Sequence, residues 1–134
     1  MKIIFDTNVL LSALITQGLS SRVFDICLDK HDLFISDFII NEVSEKLLKK
    51  FNTPKTIHKR TVEFLNNSCI KIQPKGVMPE VCRDKDDNNI LFLAKHIHAD
   101  LIITGDKDLL SLEKFENIKI INPRIFIEQY HNLH

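Results

Sequence analysis

The sequence has no tryptophan, a single tyrosine, three glycines and four prolines among its 134 residues. With Tyr130 the only Tyr and no Trp, no aromatic platform for stacking successive bases is expected. So few glycines and prolines leave no room for a long flexible linker. "FDTNVL", near the start, holds no glycine at all, which sets aside a phosphate-cradling loop there. The three cysteines, Cys27, Cys69 and Cys82, form no C-x-x-C. They read as reduced, partly buried thiols, not as a disulfide framework or a zinc knuckle. His96 and His98 are two apart, so on a helix they point in different directions. No apolar run reaches the roughly 18–20 residues of a membrane span. The first apolar stretch is broken by Asp6 and does not read as a signal peptide. Together these absences lead to the expectation of a cytoplasmic protein without membrane contact. Charge of one sign is also lacking: 18 basic side chains balance 18 acidic ones. Only the distribution of charge can then speak for a nucleic-acid partner.

What is present is an alternation of strand-like and helix-like runs. Lys2–Phe5 reads as the first strand. Asn8–Ile15 and Ser20–Leu28 read as helices, the second capped by Ser20 or Ser21 with Val23, Phe24, Cys27 and Leu28 on one face. "LFIS" (Leu33–Ser36) is a second strand. Phe38–Phe51 carries Ile39, Val43, Leu47 and Phe51 at four-residue steps, the stripe of an amphipathic helix. Pro54 stops that helix and introduces another, about Lys55–Asn67, whose sparse apolar positions suit an edge. Cys69–Ile72 is a short strand, followed by a loop through Pro74, Gly76 and Pro79. Asp87–His98 is a helix, and "LIIT" (Leu101–Thr104) has the continuous apolar run of a strand buried on both faces. Ile118–Ile121 is the last strand and Arg124–Tyr130 a terminal helix. This order predicts one α/β domain over residues 1–134, with a parallel sheet covered by helices. Such sheets bind ligands at the carboxyl ends of their strands.

That edge collects acids. Asp6 ends the first strand, and Asp106 follows "LIIT" through Gly105. Either alone is explained as a helix N-cap. Asp84, Asp86 and Asp87 precede a helix, where one or two acids offset the helix dipole; a third exceeds that need. Glu42 fits an exposed pair with Lys46 four residues on, yet it also borders the apolar stripe of its helix. Taken together, three strand-to-helix junctions bring Asp6, Glu42 and Asp106 to one edge, with Asp87 at a helix start facing it. Carboxylates about 5 Å apart repel by roughly 3 kcal/mol per pair at an effective dielectric near 20. Such a cluster persists with raised pKa values or bound cations. Oxygen-only donors select Mg²⁺ or Mn²⁺. Ions of this kind activate water and stabilise the leaving oxygen of a phosphodiester.

"IIFDTNVLLSAL", "SDFIINEV" and "DKDDNNILFLAKHIHADLIITGDKDLL" resemble the PIN-domain family nearly end to end. The closest resemblance is to the small VapC-like PIN proteins that act as toxins of toxin–antitoxin pairs. The resemblance implies a three-layer α/β/α sandwich around a central five-stranded parallel sheet. It also implies Mg²⁺- or Mn²⁺-dependent endoribonuclease activity that leaves 5′-phosphate and 3′-hydroxyl ends, a homodimer, and inhibition by a cognate antitoxin. The family's metal-holding acids correspond to Asp6, Glu42, Asp87 and Asp106. Asn8 and Thr104 match polar positions that hydrogen-bond those carboxylates, and Asp108 matches a frequently acidic one.

From Lys46 to Val62 no acid occurs. Lys46, Lys49, Lys50, Lys55, Lys59 and Arg60, with His58, make either a solvated face or a basic ridge for the RNA backbone. Other classes fit less well. A phosphoacceptor receiver domain needs paired acids after its first strand, and "FDTN" has one. A haloacid-dehalogenase-type phosphatase needs an Asp where Asn8 stands. A PIN fold that binds RNA or protein without cutting remains the main alternative.

Overall fold

"KIIF" forms β1 (Lys2–Phe5), and its residues Ile3, Ile4 and Phe5 are buried in the centre of the sheet. In the computed structural model, which describes residues 1–131, α1 (Thr7–Ile15), α2 (Leu19–Lys30) and β2 (Asp32–Ile35) follow. Next come α3 (Asp37–Lys49), α4 (Lys55–Ser68), β3 (Ile70–Lys71), α5 (Lys85–Ile97) and β4 (Leu101–Ile103). The chain ends with α6 (Lys107–Ser111), β5 (Lys114–Phe115), β6 (Ile118–Ile121), α7 (Pro123–Phe126) and a π-helical turn, Ile127–His131.

The strand order is β3-β2-β1-β4-β6-β5. The five strands expected from the sequence are all parallel to one another. A sixth, the two-residue β5, adds to the edge antiparallel to β6. It was not legible because two residues are too few to show alternation. Its turn to β6 also puts Glu116 at φ 55°, a left-handed conformation that Glu rarely signals.

The helices flank the sheet: α2 packs on α1 and α7, α3 on α1 and α4, and α5 on β1. As the sparse pattern predicted, α4 buries only Leu65, while Phe64 sets its ring 6.2 Å from Phe24 on α2. The α2 helix begins one residue before Ser20, after Gly18, without a side-chain cap. Ile102 and Ile103 of β4 are fully buried; truncating one to Ala is worth about 2–5 kcal/mol. Burial pushes the Cys27 and Cys69 thiols up to about 12 and about 11, so neither is a ready nucleophile. No single described helix is long and apolar enough to cross a membrane.

The chain leaves β1 toward β2 and β3 on one side, then returns to build β4 and β6 on the other. The crevice between the carboxyl ends of β1 and β4 is therefore the topological switch point, where parallel sheets place their ligands.

Candidate metal centre

The β1–β4 register sets Phe5 opposite Ile103, so the next residues, Asp6 and Thr104, meet side by side above the sheet. Asp6 is 6% exposed. Its Oδ1 accepts from the Val9 amide at 2.9 Å, capping α1, and its Oδ2 accepts from the buried Thr104 hydroxyl. Thr104 Oγ1 in turn accepts the Asp106 amide at 3.0 Å. Asp106 Oδ2 caps α6 by accepting from the Leu109 amide at 2.9 Å. Capping and site-building are thus the same act for both residues. Each cap fixes a rotamer, and a carboxylate has lone pairs left over for a ligand.

Glu42 enters from the second turn of α3, a helix started by the buried Ser36, whose Oγ accepts from the Ile39 amide at 3.3 Å. Its Oε1 accepts from Thr7 Oγ1 at 2.6 Å. Asp87 lies in the first turn of α5, a helix capped by Asp84. Asp6, Glu42, Asp87 and Asp106 line one cleft of about 90 Å³ together with Thr7, Asn8, Lys46, Asp84, Asp86 and Ile90. One oxygen each of Asp87, Asp106 and Asp108 lie within 4.8 Å of one another, although Asp108 does not itself line the cleft.

Electrostatics register the crowding. The Asp87 carboxyl is pushed up to about 7, first by burial and then by the charges of Asp106, Asp84 and Asp6. Burial raises Asp6 as well, against the lowering bonds from Thr104 and Val9, and Asp106 adds to the rise. Burial raises Glu42 too; the Thr7 bond opposes this and Asp86 reinforces it. Acids gathered in one cleft with little positive charge to match them make a site that a cation would neutralise. The donor set is oxygen only, which fits a hard divalent ion such as Mg²⁺ or Mn²⁺.

The supporting positions divide. Thr104 holds Asp6 directly. Asn8 lines the cleft, but its Oδ1 accepts from Lys46 Nζ at 2.9 Å. The hydroxyl that orients Glu42 belongs to Thr7, which sequence reading passed over; a threonine between two polar site residues in "FDTN" was the available signal. Asn88 was also missed. Buried on α5, its Oδ1 accepts from the Val81 and Cys82 amides at 3.1 and 2.8 Å, and its Nδ2 donates to the Cys82 carbonyl at 3.1 Å. That fixes the loop before α5 beside the cleft.

Of the basic candidates, Lys46 lines the cleft. Lys49 and Lys50 end α3, and Lys55, Lys59 and Arg60 begin α4; all five are exposed. His58 turns inward, with Nε2 2.5 Å from Ser44 Oγ, and joins the two helices.

With this geometry in hand, comparison with known proteins identifies the relationship. The PIN domain profile matches residues 2–108. The chain belongs to the PIN domain family. It is 36% identical over 145 residues to an uncharacterized protein of Methanocaldococcus jannaschii, covering 97% of this chain and 92% of that one. Its fold is similar to a chain in the crystal structure of VapBC2 from Rickettsia felis bound to a DNA fragment from their promoter. That match has a TM-score of 0.66 and 11% identity, over 91% of this chain and 98% of the other. PIN domains are generally nucleases, and the acidic cleft of this member suits the divalent metal they use.

Proposed function

We propose that this protein, with residues 1–134 acting as one PIN domain, is a Mg²⁺- or Mn²⁺-dependent endoribonuclease. The observation that carries the reading is the convergence of Asp6, Glu42, Asp87 and Asp106 from four elements into one cleft, with three of the four acids raised. Asp6, Glu42, Asp87 and Asp106 would hold the cation between them. When bound, a divalent cation activates water and offsets charge on the leaving oxygen of a phosphodiester.

The chain's own residues prepare that chemistry. Thr104 and the Val9 amide lock Asp6, and the Leu109 amide locks Asp106, so neither carboxylate must reorganise on binding. Thr7 holds Glu42 against its neighbours. Asp87, which titrates near neutral pH, is the group that must shed its proton for the site to load. No side chain serves as nucleophile. Lys46 borders the cleft, and the exposed Lys49, Lys50, Lys55, Lys59 and Arg60 offer phosphate contacts along the flank.

The fold shared with a VapBC2 chain supports a finer reading: the toxin of a toxin–antitoxin pair, cytoplasmic, homodimeric, and silenced by a cognate antitoxin. A small neighbouring gene for a DNA-binding protein is the expected companion. The activity is tested by incubating purified protein with a mixed RNA pool in Mn²⁺, Mg²⁺ or EDTA, beside Asp6→Asn. Cleavage that needs metal and Asp6 is the expected result. A folded, antitoxin-free protein that cuts nothing in either metal contradicts it.

A further inference from the structure

One basic side chain, Arg83, is tied to this group of acids through Asp108. Arg83 leaves the loop before α5, and its Nη2 lies 3.0 Å from both Oδ1 and Oδ2 of Asp108. That carboxylate is the same one that offers an oxygen within 4.8 Å of Asp87 and Asp106. The root of Arg83 is rigid, because the preceding Cys82 is clamped by three hydrogen bonds, counting that of Val81, to the buried Asn88. Its side chain is 87% exposed and that of Asp108 48%. An ion pair this open contributes little to the fold and is cheap to exchange. Only Nη2 is engaged, so the Nε and Nη1 N–H groups have no acceptor among the described residues. These donors suit the oxygens of a phosphate.

We propose that Arg83 is an exchangeable phosphate anchor: it holds Asp108 in the free protein and releases it to grip a backbone phosphate of RNA beside the acids. The inference rests on the nuclease reading above. It assigns Arg83 two effects of opposite sign. Toward a divalent cation, Arg83 is a competitor, both as a nearby positive charge and as the partner of Asp108. Toward RNA, it is a ligand.

The test measures both. Mn²⁺ affinity without RNA is taken by calorimetric titration. RNA affinity is taken by anisotropy of a fluorescein-labelled mixed-sequence single strand in Ca²⁺, across a salt series. Wild type, Arg83→Ala and Arg83→Lys are compared. Arg83→Ala is expected to bind Mn²⁺ up to about tenfold more tightly, the scale of removing one charge near the ion. It is expected to bind RNA about tenfold more weakly, with the slope of log affinity against log salt reduced by about 0.7, one phosphate contact. Arg83→Lys keeps the charge but not the planar donors, so it keeps the salt slope and loses part of the affinity. Unchanged RNA affinity in Arg83→Ala, or Mn²⁺ and RNA affinities that fall together, overturns the anchor alone. Wild-type protein that binds no RNA overturns the nuclease reading and the anchor with it.

Discussion

At the amino end of β1, both cationic groups and the carboxylate of Asp100 have hydrogen-bond partners. The Lys2 amide donates to Asp100 Oδ2 at 2.8 Å, and Lys2 Nζ donates to the Ile97 carbonyl at 3.1 Å, at the negative end of the α5 dipole. The N-terminal ammonium lies 3.2 Å from His31 Nδ1. At the carboxyl end, the same two central strands deliver Asp6 and Asp106 into a cleft with Glu42, Asp84, Asp86 and Asp87, against Lys46. One end of β1 and β4 is arranged for the fold. The other accumulates like charge that the fold alone does not need. The difference is a physical pointer to function, because an arrangement that costs stability without a ligand persists for the ligand it receives.

The largest effect should come from removing charge at the carboxyl end. Asp6→Asn or Asp87→Asn is expected to lower RNA cleavage on the order of a thousandfold, with far-UV circular dichroism unchanged; a wild-type rate in either variant breaks the account. Next is Thr104→Val, which leaves Asp6 without its buried hydroxyl donor. Mn²⁺ affinity should fall about 10- to 100-fold, read by titration.

A smaller effect concerns pH. Asp87 is raised to about 7 in the folded protein, so the fold favours its neutral form. The stability linked to that proton is full below the ordinary carboxylate range and is lost as pH rises through about 7. Metal-free protein should therefore lose a few degrees of melting temperature, ~2–5 °C, between pH 5 and 8. The half-exposed position of Asp87 keeps the effect modest through solvent screening. Asp87→Asn should flatten the curve, and Mn²⁺ should reverse it at pH 8. A melting temperature that rises with pH without metal contradicts the sign. The smallest effect is the control at the other end. Asp100→Asn should cost about 1 kcal/mol or less in denaturant unfolding and leave Mn²⁺ affinity untouched.

How much of this was readable in advance depends on distance along the chain. Asp6 and Asp106 are announced locally, each at the end of an apolar run that has to be a central strand. Asp87 is announced by the helix pattern that follows it. The contacts that orient these acids are not local: Thr104 meets Asp6 across 98 positions and Thr7 meets Glu42 across 35. No periodicity encodes such pairs; register and helix packing create them. Asn8 shows the limit. A polar residue beside a site acid was expected to serve that acid, but one step of helix rotation turns it to Lys46 and gives the task to Thr7. Arg83 gave no sign, because its partner is 25 residues away on a five-residue helix.

The central claim is that the acids at the carboxyl edge are assembled to hold a divalent cation, and calorimetric titration of metal-free protein with Mn²⁺ at pH 7.5 tests it most directly. Wild type should show saturable binding with release of a fraction of a proton, as Asp87 completes its ionisation. Asp87→Asn should bind at least about tenfold more weakly and release no proton. Absence of binding at millimolar Mn²⁺, or equal affinity in the two proteins, would contradict the claim.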